Sequence, residues 1–94
     1  MRESKIESQC RQLAILTGWV VYKGLDGNGT PDRIFLKEGR GFTVEFKRSE
    51  SSKLRPAQEI ERDRLGKCGV PYYVCWSLDG FRKLLIIEEN KICQ

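Results

Sequence analysis

The chain has no histidine, no Cys-x-x-Cys pair and no apolar run near the roughly 18 residues that a membrane helix needs. The first absence removes every His-based triad; with the second, the usual ligand sets of a structural zinc site go too. The third points to a soluble protein. The opening stretch MRESKIES lacks the apolar segment of a signal peptide, which adds the expectation of a cytoplasmic location. Any catalysis must then run on carboxylates, amines or a bound hard metal. Repeats, linkers and low-complexity segments are also missing, so residues 1–94 are expected to form one domain, near the small end of what folds alone. Cys10, Cys68, Cys75 and Cys93 stand at long, irregular spacings and read as reduced thiols, several of them small core residues.

The 39% apolar content suffices for one modest core, and the 32% charged content fits a soluble protein. A net charge of +4 is a mild hint of a polyanionic partner. Its distribution says more, because Lys47, Arg48, Lys53 and Arg55 fall close together. Alone, such a run reads as a solvated loop. Beside strand-end acids it reads as a surface for phosphates.

The pattern predicts a mixed α/β chain. Ser4-Lys5-Ile6-Glu7 matches a capping box, with Ser4 as N-cap. Ile6, Cys10, Leu13, Ala14 and Thr17 then recur at helical spacing up to Gly18. WVVYK (19–23) is a strand, and GLDGNGTP carries Asp-Gly and Asn-Gly turn signals. DRIFLK and GFTVEFK form a hairpin around Glu38-Gly39-Arg40-Gly41. Pro56 opens a second helix that runs to about Lys67. YYVCW (72–76) is an apolar strand, and Ser77 can cap a last helix in which Phe81, Leu84, Leu85 and Glu88 share a spacing. The order is helix, three strands, helix, strand, helix.

The hairpin puts acids where a small protein needs core. With two or four residues in the turn, Asp32 falls opposite Lys47, and Glu45 is its diagonal neighbour on the same face. A three-residue turn would send Asp32 to the other face. Two strand-end carboxylates beside a lysine suit an oxygen-ligated divalent cation that is open to phosphate. They are equally read as a surface Asp–Lys pair with Glu45 nearby, a pair worth little in stability.

Pro31-Asp32, a short hairpin and then Glu45-x-Lys47 resemble the PD-(D/E)xK nuclease superfamily. Gly29-x-Pro31-Asp32 and Gln58 narrow the likeness to the VRR-NUC family of virus-type replication–repair nucleases, whose small stand-alone members are typical of bacteriophages. The resemblance runs from about Ser4 to Trp76. It departs mildly at Phe46, where the family usually has an aliphatic residue. It implies a restriction-endonuclease-like core (α-β-β-β-α-β plus a C-terminal helix), a small mixed sheet flanked by helices, and a metal-dependent DNA endonuclease acting on duplex, branched or four-way-junction DNA.

The resemblance implies Mg²⁺ or Mn²⁺ held by Asp32, Glu45 and the Phe46 backbone carbonyl, with Lys47 at the attacking water or developing oxyanion. Glu7 reads either as a further ligand from the first helix or as the capping-box glutamate. Gln58 reads as a residue orienting water or the scissile phosphate, or as a helix-start residue reaching back to the chain. Arg48, Lys53, Arg55 and Arg62 are the expected phosphate contacts. Tyr72, Tyr73, Trp76 and Trp19 read as core and flank residues ahead of base-stacking ones. A homodimer is expected, with the last helix (Phe81, Leu84, Leu85, Ile86, Ile87) as its patch; the other reading makes Ile86 and Ile87 a frayed end or a fifth strand. A catalytically silent DNA-binding module or nuclease accessory protein is the alternative function.

Overall fold

The computed structural model describes residues 3–24 and 29–92. The chain order is α1 (Glu3–Leu16), β1 (Val20–Lys23), β2 (Arg33–Lys37), β3 (Arg40–Phe46), α2 (Pro56–Lys67), β4 (Tyr72–Cys75) and α3 (Leu78–Ile92). The sheet order is β1-β2-β3-β4, antiparallel at the first two pairings and parallel between β3 and β4. The parallel pair is possible because α2 provides the crossover that a hairpin cannot. The predicted element order is therefore the observed one. Of the two turn signals, Asp26-Gly27 and Asn28 lie outside the described residues, while Gly29 is described.

Alternation along β2 and β3 divides two faces. Phe35 meets Phe42 across the hairpin, and their rings stack at 4.8 Å with 7° between planes. Val44 and Phe46 continue that face, and Ile6, Cys10 and Ala14 of α1 with Phe81 and Leu85 of α3 cover it. Trp19 packs edge-on against Phe42 at 5.0 Å. Such ring pairs add about 0.5–1.5 kcal/mol beyond their buried area. Cys10 and Cys75 are buried free thiols and Cys68 an exposed one; Cys93 lies outside the described residues. Thr43 and Glu45 point to the other face, towards the side where α2 lies.

Two expectations about α1 need correction. Ser4 lies inside the helix, which is already under way at Glu3, so it is not the N-cap. Thr17 lies beyond the helix end, exposed, with its hydroxyl donating back to the Leu13 and Ala14 carbonyls. The helix then stops at Gly18, whose φ of 94° an L side chain rarely tolerates. At the other end of the chain, α3 runs through Ile86 and Ile87 to Ile92, so neither a frayed end nor a fifth strand forms there. Ser77 caps it as expected, accepting from the Gly80 N–H at 3.0 Å.

The hairpin turn has two residues, one of the two expected lengths, but its position shifts the register by two from the expected one. Lys37 pairs with Arg40, leaving Glu38 and Gly39 as the two-residue turn, at φ 46° and 79°. Both values are positive, the type I′ signature that matches the twist of the flanking strands. Glycine takes such a φ freely, whereas Glu38 takes it at some cost. Among the described residues no helix is long and apolar enough to cross a membrane.

Candidate active site

The tight turn fixes where the acids meet. Arg33 faces Val44 at the end of the β2–β3 ladder, so one further step brings Asp32 opposite Glu45. This corrects the expected pairing of Asp32 with Lys47. Both registers keep the parity, so the acids share a face as predicted, but they are direct rather than diagonal neighbours. Asp32 Oδ2 accepts the Phe46 backbone N–H at 2.8 Å, which ties the carboxylate to the end of β3. Thr43 and Lys47 direct their N–H groups to β4, so the intervening Phe46 N–H and C=O point to the Asp32 side. The Phe46 ring itself is core.

Glu45 is 7% exposed, and its two oxygens have different fates. Oε2 accepts from Gln58 Nε2 at 2.9 Å and lies 3.5 Å from Lys47 Nζ. Oε1 is buried without a hydrogen-bond partner among the described residues. Burial raises the Glu45 pKa and the nearby Asp32 charge raises it further, while Lys47 and Gln58 pull it back. Lys47 is thus paired with Glu45 and not with Asp32.

Gln58 joins these parts from α2. It is 1% exposed, and its Oε1 accepts from Lys47 Nζ at 3.2 Å and from the Arg55 backbone N–H at 2.8 Å. The second bond is half of a capping box; Arg55, the N-cap, has no acceptor to complete it. The bond to Arg55 is the helix-start reading of Gln58, a side chain reaching back to the chain, and the same side chain also contacts Glu45 and Lys47. The loop carrying Asp32 is seated on the same helix start. At Gly29 (φ 87°) a Cβ would collide with the Ala57 carbonyl, so only glycine lets that loop approach.

Glu7 turns towards Arg33, with Oε2 3.5 Å from the guanidinium Nε. Burial raises its pKa, Arg33 offsets part of that rise, and Asp32 is close enough to add to it. Arg33 was not singled out in the sequence. Its position directly after Asp32, on the opposite face, was the available signal. Tyr72 is buried as expected, at 8% exposure, and its hydroxyl donates to the Gly29 carbonyl at 3.3 Å. Burial and the Glu45 and Asp32 charges push its pKa up. Arg48, Lys53, Arg55 and Arg62 are all exposed. Among the described residues there is no grouping of three or more Cys, Asp or Glu side chains arranged to hold a metal. The fit to a cation rests instead on the donor types: two carboxylates, one with a buried unpartnered oxygen, beside a main-chain carbonyl. These are hard oxygen donors of the kind that Mg²⁺ and Mn²⁺ take, with water completing the shell.

Asp32, just ahead of β2, and Glu45 on β3 face each other across the hairpin, with a lysine two residues past the second and a glutamine from the crossover helix, on a four-stranded mixed sheet flanked by helices. A solved structure described as a VRR_NUC domain superposes with a TM-score of 0.79 at 29% sequence identity, over 88% of this chain and 92% of that one. No protein-family model and no curated protein matches the chain. The fold of this chain is that of a VRR-NUC domain, and such a fold points to a nuclease.

Proposed function

We propose that this chain is a metal-dependent endonuclease that hydrolyses DNA phosphodiester bonds, selective for branched substrates such as four-way junctions, in bacteriophage replication, recombination or repair. The observation that carries the reading is the half-satisfied Glu45: a buried carboxylate facing Asp32, with Oε1 unpartnered and Lys47 alongside. Glu88 on α3 also has a buried unpartnered Oε1, beside Tyr73 and Lys91, so what sets Glu45 apart is the second carboxylate, Asp32, whose charge it faces. Asp32, Glu45 and the Phe46 carbonyl would hold Mg²⁺ or Mn²⁺, with Glu7 behind them. The bound ion supplies a more acidic water and neutralises charge at the phosphate.

The chain's own residues do the rest. Lys47 shifts from Glu45 to the attacking water or the developing oxyanion. Gln58 holds Glu45 and Lys47 at a fixed separation and orients the group between them. Arg48, Lys53, Arg55 and Arg62 take backbone phosphates. The protein acts as a homodimer, because cutting a symmetric junction requires two sites related by a two-fold axis. On α3, Ile86 (61% exposed) and Ile87 (50% exposed) remain available for that contact, while Phe81 and Leu85 are spent on the core.

Purified protein should nick branched DNA with Mg²⁺ or Mn²⁺ and stop in EDTA. A panel of linear, flap, splayed and four-way substrates reads the selectivity. Glu45→Ala with an unchanged circular dichroism spectrum should be inactive; parent-like cutting by this variant refutes the site. Light scattering at micromolar concentration, with Ile87→Glu as control, reads the dimer.

A further inference from the structure

One large aromatic next to the acids plays no part so far. The β3–β4 register ends at Phe46 beside Cys75, but the Lys47 N–H still donates to the Cys75 carbonyl at 2.8 Å. The same relation, Thr43 N–H to the Pro71 carbonyl, accompanies the pairing of Thr43 with Tyr72. The ladder therefore continues one step and sets Trp76 beside Lys47, about one strand spacing (~4.8 Å) away. In the alternation of β4, Trp76 is in step with Val74, the register partner of Glu45.

Trp76 is 40% exposed, whereas its aromatic neighbours are committed. The Tyr72 hydroxyl donates to Gly29 and the Tyr73 hydroxyl to Glu88 Oε2 at 2.7 Å. Trp19 is in the core with its indole N–H on Glu89 Oε1. β4 is a sheet edge, and a hollow of about 150 Å³ opens there, lined by Val74, Cys75, Trp76, Ser77, Gly80 and Leu84. Lys47 and the exposed Arg48 do not line that hollow, but the continued ladder sets Lys47 next to Trp76, so a phosphate-compatible cation stands one strand in from an open indole.

We propose that Trp76 is a stacking platform for an unpaired base of single-stranded or branched DNA, held beside the reacting phosphodiester. The inference deepens the nuclease reading and takes from it only the position of the cut. Every base offers a π-face, so stacking is tolerant of sequence. A base within a duplex has both faces covered, so the platform selects DNA by its unpaired bases. Trp76 thereby contributes substrate choice, while the acids and Lys47 contribute the chemistry.

The test separates binding from cutting. In EDTA, a dye-labelled oligothymidylate of about 12 nucleotides is titrated with parent, Trp76→Ala and Trp76→Phe and followed by anisotropy, alongside a blunt duplex. Trp76→Ala should bind the single strand roughly tenfold more weakly and the duplex unchanged, with Trp76→Phe in between. The oligonucleotide should quench the parent's tryptophan emission but leave that of Trp76→Phe, which comes from Trp19, intact. Parent-like single-strand binding by Trp76→Ala, equal losses on both DNAs, no quenching, or no binding by the parent each overturns the platform. Cleavage with Mg²⁺ is scored separately. A parent that binds and quenches but never cuts overturns the nuclease reading and leaves the platform standing.

Discussion

Gln58→Ala is expected to cost about 3 kcal/mol of folding stability, an unusual loss for a polar residue at the start of a helix. Its bond to the Glu45 carboxylate is charge-assisted, a kind worth about 1.5–3 kcal/mol, and the bond to the Arg55 N–H adds about 1. The contact with Lys47 is longer, at 3.2 Å, and adds less. Some of the loss is recovered as water reaches the site, which keeps the total near 3. In a domain of this size each kcal/mol moves the melting point by about 4–8 °C, so the variant should melt roughly 15 °C lower. Circular dichroism melts in EDTA read the effect. Gln58→Glu keeps the acceptors for Lys47 and Arg55 but sets a carboxylate against Glu45, so it should also melt low in EDTA. Saturating Mn²⁺ should then restore more stability to Gln58→Glu than to Gln58→Ala, since ligand at a hundred times its dissociation constant stabilises by about 2.7 kcal/mol. A Gln58→Ala variant within about 0.5 kcal/mol of the parent, the range of an ordinary surface substitution, would show that the bridge carries no load. A Gln58→Glu variant indifferent to Mn²⁺ would sink the cation site.

Three further outcomes are expected. Glu45 has its folded pKa raised, so its charge opposes folding at neutral pH, and the folded state gains relative stability as pH falls through that value. Glu45→Gln should therefore melt above the parent in EDTA at neutral pH, with the gap closing on acidification in melts followed across pH, while cutting is lost. Gly29→Ala should cost more than about 2 kcal/mol, from the left-handed φ together with the Ala57 carbonyl in the path of the new Cβ, and should lower cutting even where the protein remains folded. Neutralising Lys53 and Arg55 together should weaken binding alike on unrelated sequences and flatten the log–log salt slope by roughly 2; a changed sequence preference would refute backbone contact.

The element order and the division of faces were legible because each rests on periodicity: a four-residue recurrence from Ile6 through Cys10 to Ala14, and alternation through Phe42, Val44 and Phe46. The common face of Asp32 and Glu45 was legible for the same reason. Their direct opposition was not, because turns of two and four residues preserve parity, and nothing marks Glu38 as a residue that will take a positive φ where glycine or asparagine is customary. Glu7 misled in another way. Its spacing from Ser4 is that of a capping box, but a local spacing cannot reveal that the helix is already under way. Gln58 was readable from Pro56, which fixes the helix start two residues earlier. Its three simultaneous bonds depend on the packing of α2 against β3 and β4, and sequence spacing carries no trace of that.

The way α2 is held has a consequence for how the protein opens. Gln58 is the one residue buried among those of this helix, and Ile60 is 62% exposed. The helix is moored by the Gln58 bonds and by main-chain contact with Gly29, with little apolar surface behind them. Elements with so few buried apolar contacts open at lower free energy than the core. The α2 amides should exchange with deuterium through a partial opening that leaves the Phe35–Phe42 sheet closed, and each opening would release Glu45 and Lys47 from Gln58. A cation on the acids would then protect a helix that supplies none of its ligands. Slower exchange across residues 58–67 on adding Mn²⁺, with exchange in β1 unchanged, would be the signature.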